Sequence, residues 1–325
     1  MKNNAKKILC VTLAAVSAIS LAACSTETPE SGFDSPLPWH ANAAAYEKLD
    51  YTVAVYNTTK SVDESKREKI ADGTMSFVLD EGAVSGYTSL NMSFTVTYLN
   101  TEAAGADAGL TDTITSNVTF EPNSLAASYM EKTVTLADRK GQVNNSYAIT
   151  ADYFNTHKAT FKYIKQEGAK EKSRRLPEDA SRDNEMMFFL ARAQDLKAES
   201  STNFKLINLF ESFLQNETVE YRMSVNCTST RKTDLGDWVK DFGIQAVTDE
   251  KDNTTSYPVN CYATTISIND EKHGPAYYVL YAKDSFTLNG AEHKKLPVKI
   301  DYSSYQNSKP YRHTEYKLSA VSFAK

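Results

Sequence analysis

The sequence predicts a mainly β fold with a small helical part: a curved antiparallel sheet or half-barrel of about a dozen strands, covered by one or two helices. Three observations carry the prediction. Apolar and polar residues alternate at period two through much of the chain, best seen where Met92, Phe94, Val96 and Tyr98 interleave with Asn91, Ser93, Thr95 and Thr97. Turn-forming Gly, Asn and Asp separate many of these runs at the spacing of a meander. Helical spacing stands out in one segment, where Met186, Met187, Phe189, Leu190 and Ala193 recur behind Ser181 and Asp183, either of which suits a cap.

Taken in order, the chain opens with Lys2, Lys6 and Lys7, continues with a mostly apolar run over 8–22, and closes it with Leu21-Ala22-Ala23-Cys24. This resembles a bacterial lipoprotein signal peptide with its lipobox. The resemblance implies cleavage before Cys24 and a diacylglycerol on its thiol. That places the protein outside the cytoplasm, anchored by lipid to a bacterial cell membrane, inner and outer not being distinguished. Thr12, Ser17 and Ser20 interrupt the run too often for a spanning helix. Loss of residues 1–23 removes three lysines and no acid, leaving 33 Lys+Arg against 41 Asp+Glu. Residues 24–42, with Pro29, Pro36 and Pro38 among Ser, Thr and Glu, read as a flexible tether. Extended at roughly 3.1 Å per residue it reaches about 50 Å.

Strands are then expected at 51–56, 74–79, 91–98, 113–120, 129–136, 146–154 and 159–164. A polar stretch over 165–183 reads as a solvated loop before the helix at 186–193. Residues 204–214 fit a helix or a strand end, and strands resume at 219–227, 257–268, 276–282, 296–302 and 315–323. Residues 43–325 therefore form a single β-rich domain, or two packed halves meeting near 165–183.

Leu49-Asp50-Tyr51 entering a strand, Gly73 opening the second strand, the segment from Asp183 to Arg192, and Leu296-Pro297-Val298 together resemble an uncharacterised bacterial envelope domain family. The resemblance implies a half-barrel similar to lipoprotein carriers and sensors of the LolA type, with a concave apolar face. It implies no catalytic residue.

The search for chemistry returns few candidates. The five histidines are scattered without a helix-borne pair three or four residues apart, so no metal site is expected. There is no Gly-x-Ser-x-Gly elbow, phosphate-cradling glycine loop or Cys-x-x-Cys, so neither an enzyme nor a cofactor is proposed. A formal charge of -5 disfavours nucleic acid as a partner. Cys10 leaves with the signal and Cys24 takes lipid, so Cys227 and Cys261 remain either as a disulfide, if their strands are neighbours, or as two separate buried thiols. Met186, Met187, Phe189 and Leu190 are candidate linings for an apolar ligand, or plain core. Nineteen tyrosines suit a half-buried sheet or a surface that stacks on sugar rings.

Two functions follow as expectations. The first is a non-enzymatic, membrane-anchored lipoprotein that binds a lipid or other amphiphile, or an envelope protein. The alternative is an adhesion or glycan-binding module that meets cell-wall glycan through exposed tyrosines.

Overall fold

A computed structural model describes residues 46–99, 109–136, 146–155, 158–165, 168–175, 182–208, 219–268, 276–306 and 309–323. Residues 1–23 and 24–42, read above as signal peptide and tether, and Ser181 lie outside the described residues. The first half of the chain supplies β1 (Glu47–Asn57), β2 (Glu68–Glu81), β3 (Thr88–Tyr98), β4 (Thr111–Phe120), β5 (Ala127–Thr135), β6 (Tyr147–Asn155), β7 (Lys158–Lys165) and β8 (Gly168–Arg175). A 3-10 turn (Asn184–Met186) and helix α1 (Met187–Arg192) follow. The second half supplies β9 (Ser200–Asn208), β10 (Val219–Asp234), β11 (Val247–Asp249), β12 (Thr254–Ser256), β13 (Pro258–Ile268), β14 (Ala276–Ala282), β15 (Phe286–Leu288), β16 (Ala291–His293), β17 (Pro297–Gln306) and β18 (Lys309–Ser322).

Fourteen of these strands make one curved antiparallel sheet that does not close into a barrel, in the order β8-β7-β6-β5-β4-β3-β2-β1-β18-β17-β14-β13-β10-β9. The chain meanders from β1 to the edge at β8, crosses to the opposite edge at β9, and works back until β18 pairs with β1 through Val53↔Tyr316. β11–β12 and β15–β16 are separate two-stranded ribbons. That crossing is the reason a helix lies on the sheet. The segment joining the two edges passes over the inner face, and it is the segment with helical periodicity.

Register explains the two faces. One row runs Leu318, Tyr51, Met75, Phe94, Ile114, Val134 and Tyr147 across neighbouring strands, all apolar. The adjacent row runs Lys317, Thr52, Thr74, Thr95, Thr113 and Thr135 and faces the other way. Side chains alternate along every strand, so the first row builds the core and the second meets water. β2 passes so close to β3 at Gly73 that a Cβ there would lie 1.9 Å from the Thr95 carbonyl oxygen. Gly73 sits within β2, not at its start, and permits this approach.

Three expectations change. Part of 165–183, read as a solvated loop, forms the edge strand β8, in which charged residues replace the apolar alternation used to recognise strands. The ambiguous 204–214 begins as the end of β9, and 209–214 lies outside the described residues. Cys227 and Cys261 do lie on neighbouring strands, yet both are free and buried. Cys227 stands opposite Thr264 while Cys261 stands opposite Arg231, an offset of about 10 Å along the strand. A disulfide needs Cα atoms within about 7 Å, so the register forbids it. Burial pushes the Cys261 thiol up to about 12, with the Asp284 charge adding to it, and burial raises Cys227 as well.

Candidate functional site

The crossing segment packs on the inner face, and Asp183 stands near the start of its described part. Its carboxylate accepts from the Glu185 backbone N–H at 2.8 Å, capping the 3-10 turn, and from the Tyr153 hydroxyl of β6 at 2.6 Å. Asp183 also bridges in parallel to Ile207 of the edge strand β9. One buried residue thus touches both wings of the sheet. Burial raises its carboxyl to about 7, the neighbouring Glu185 charge adds to the rise, and its two hydrogen bonds only partly offset them.

The far end of α1 is tied by charge. Arg192 and Glu47 are almost fully buried, and the guanidinium meets the carboxylate through two hydrogen bonds, Nη2 reaching Oε2 at 3.0 Å. Nε and Nη2 also donate to the Lys294 carbonyl at 3.0 and 2.8 Å. His293 Nδ1 lies 3.2 Å from Glu47 Oε2, with its ring stacked on Phe323. Burial alone would raise the Glu47 carboxyl. The Arg192 charge and the hydrogen bonds from His293 and Arg192 outweigh burial and bring it down to about 2. Nearby, the Tyr51 hydroxyl donates to the Pro297 carbonyl at 2.7 Å. The sequence segments around Tyr51, Arg192 and Leu296-Pro297 therefore converge on one anchor.

Between cap and anchor, a cleft of about 50 Å³ opens between the crossing segment and the sheet. Its sheet wall is Met75, Met92, Phe94 and Ile114 on one side and Tyr277, Ile300 and Tyr316 on the other. Asn184, Met187 and Phe188 roof it, and Lys132 and Glu185 stand at its polar end. Lys132 Nζ meets Glu185 Oε1 at 2.7 Å, both side chains being mostly buried. Burial disfavours the Lys132 charge, but the Glu185 carboxylate more than compensates, so the Lys132 pKa is raised. The Phe188 ring meets Tyr277 edge-on at 5.2 Å and Phe77 at 6.0 Å, while its carbonyl accepts from the Tyr281 hydroxyl at 2.9 Å.

No family model matches the chain, and neither a curated protein nor a solved structure matches it. The site stands on its own geometry.

Of the four candidate lining residues, Met187 lines this cleft. Met186, Phe189 and Leu190 are packed in the core, with Phe189 edge-on to Phe77 at 5.5 Å. Phe188 lines the cleft although the helical pattern passed over it. Lys132 had a legible signal, because it interrupts the inward row Met130, Lys132, Val134 of β5 with a charge. Of the tyrosines that suited either a half-buried sheet or a sugar-stacking surface, Tyr277, Tyr281, Tyr302 and Tyr316 are buried, and Tyr305 is 43% exposed.

Proposed function

We propose that this protein is a lipid-anchored, non-enzymatic lipoprotein of the bacterial envelope whose sheet and crossing helix hold an amphiphile. The observation that carries the reading is the cleft beside α1: apolar walls rich in Met and aromatic rings, ending at the Lys132–Glu185 pair. Apolar walls suit a hydrocarbon segment, and a buried ion pair offers both signs of charge to a polar head group. At about 50 Å³ the cleft is smaller than the ~150 Å³ cavities that admit benzene, so a ligand enters by moving its lining. Met75, Met92 and Met187 are unbranched and repack at low cost. The anchor rests on Leu21-Ala22-Ala23-Cys24. The half-barrel resemblance agrees with an open, curved sheet.

The test is titration of the full chain with a fluorescent fatty-acid analogue, beside native mass spectrometry of protein taken from its own host. A saturable signal that Met92→Trp or Phe188→Ala weakens at least fivefold is expected. Equal binding by both variants, or none by the parent protein, would sink the proposal.

A further inference from the structure

We propose that Asp301, His313 and Glu315 form a site for a first-row divalent transition metal, Zn2+ being the best fit. It lies on the opposite face of β17 and β18 from the cleft and does not depend on the amphiphile reading. Asp301 alternates with Ile300 and Glu315 with Tyr316, and both of those neighbours line the cleft. Asp301 stands directly opposite Glu315, and His313 lies two residues from Glu315 on the same face.

One ligand atom from each residue lies within 4.8 Å of the others. His313 Nε2 is 3.4 Å from Glu315 Oε1 and 3.7 Å from Asp301 Oδ1. Ligands at about 2.0–2.1 Å from a tetrahedral zinc are about 3.3 Å apart, so two of the three edges need only small adjustment. Asp301 Oδ1 is buried and makes no hydrogen bond among the described residues. Its other oxygen is held by Lys299 Nζ at 3.0 Å, which orients the carboxylate and leaves Oδ1 towards His313. The Ser303 hydroxyl lies 3.0 Å from His313 Nδ1. Accepting the proton there fixes the tautomer that presents the Nε2 lone pair to the carboxylates, an arrangement common behind metal-bound histidines. One imidazole and two carboxylates favour zinc-like ions over calcium, which takes six to eight oxygens. Three protein ligands leave a position open for water or an exogenous group.

Arg67 Nη1 competes, at 3.4 Å from Glu315 Oε1. Its positive charge opposes a cation on the same carboxylate, so the site has a built-in gain-of-function test. The full chain is titrated with Zn2+ by calorimetry, and bound metal is counted by mass spectrometry. One Zn2+ per chain is expected, weakened at least tenfold by His313→Gln and by Asp301→Asn, whereas Arg67→Gln tightens it at least threefold. Misfolding cannot produce that tightening. X-ray absorption should show nitrogen and oxygen ligands without sulfur, separating this site from Cys227 and Cys261. No stoichiometric Zn2+ on the parent protein, full affinity in His313→Gln, a sulfur shell, or no gain in Arg67→Gln would each overturn the site and leave the three residues as an ion network.

Discussion

Asp183 and Glu47 hold opposite ends of the crossing segment, and burial acts on them with opposite net results. Asp183 has its folded pKa raised to about 7, above its ordinary 3.8. Its charge therefore costs stability at pH 7 and above, and that cost vanishes as the pH falls through 7 towards 3.8. Glu47 is lowered to about 2 from 4.5, so its contribution is full above 4.5 and is lost as the pH falls through 2. Converted at 1.36 kcal/mol per pH unit these shifts are worth roughly 4 and 3 kcal/mol, and the two acids together place their best pH at about 4. Asp183→Asn keeps an acceptor for Tyr153 while removing the titration. It should raise the melting temperature at pH 8, change it little at pH 4, and flatten the profile between. Arg192→Met should cost about 3–5 kcal/mol at pH 7, because it strands a buried carboxylate. Denaturant unfolding at pH 7 and pH 3 checks this, and the cost should shrink at pH 3 as Glu47 protonates.

At the scale of elements, strand identity was legible because period two is a local property. The row Met92, Phe94, Val96, Tyr98 appears in the structure as the inward face of β3. β8 was not legible, since an edge strand with charged side chains lacks the apolar beat. The helix was legible from its spacing and from the capping residues Ser181 and Asp183 ahead of it, of which Asp183 caps the 3-10 turn leading into α1, but which of its residues reach a cleft depends on what lies across from them. Gly73 shows the same limit, because nothing near it in sequence announces the Thr95 carbonyl. Gly73→Ala forces a Cβ to 1.9 Å from that oxygen. The variant should lose about 1–3 kcal/mol or more, read as a lower denaturant midpoint with unchanged slope. Gly86→Ala is no comparison for packing, since Gly86 sits at φ 86 with nothing near it.

For the whole molecule, the sheet joins first and last elements, and the thiols report on its register. Under denaturant and without reductant, Cys227 and Cys261 should both take an alkylating label, while in the native state both resist it. A pair that labels only after reduction would mean a register other than Cys227↔Thr264. If Leu21-Ala22-Ala23-Cys24 is a lipobox, as proposed, Cys24→Ala abolishes incorporation of a fatty-acid analogue and releases the protein from membranes. Unchanged retention would refute the anchor.

The sequence by itself determined the β class, the position of the helix and the absence of familiar catalytic motifs, because each is written in residues a few positions apart; that Asp183 makes the cap of the 3-10 turn was decided by the structure. Tertiary structure alone decided the strand order, the free thiols, the cleft and the two polar clusters. Glu47 meets Arg192 145 residues away, and Tyr51 meets Pro297 246 residues away. His313 and Glu315 did carry a local sign, their spacing of two on a strand, but Asp301 joins them only because β17 pairs with β18 in one particular register. Periodicity says which face a side chain takes. It does not say which other strand shares that face, since that choice is made by burial summed over the whole sheet.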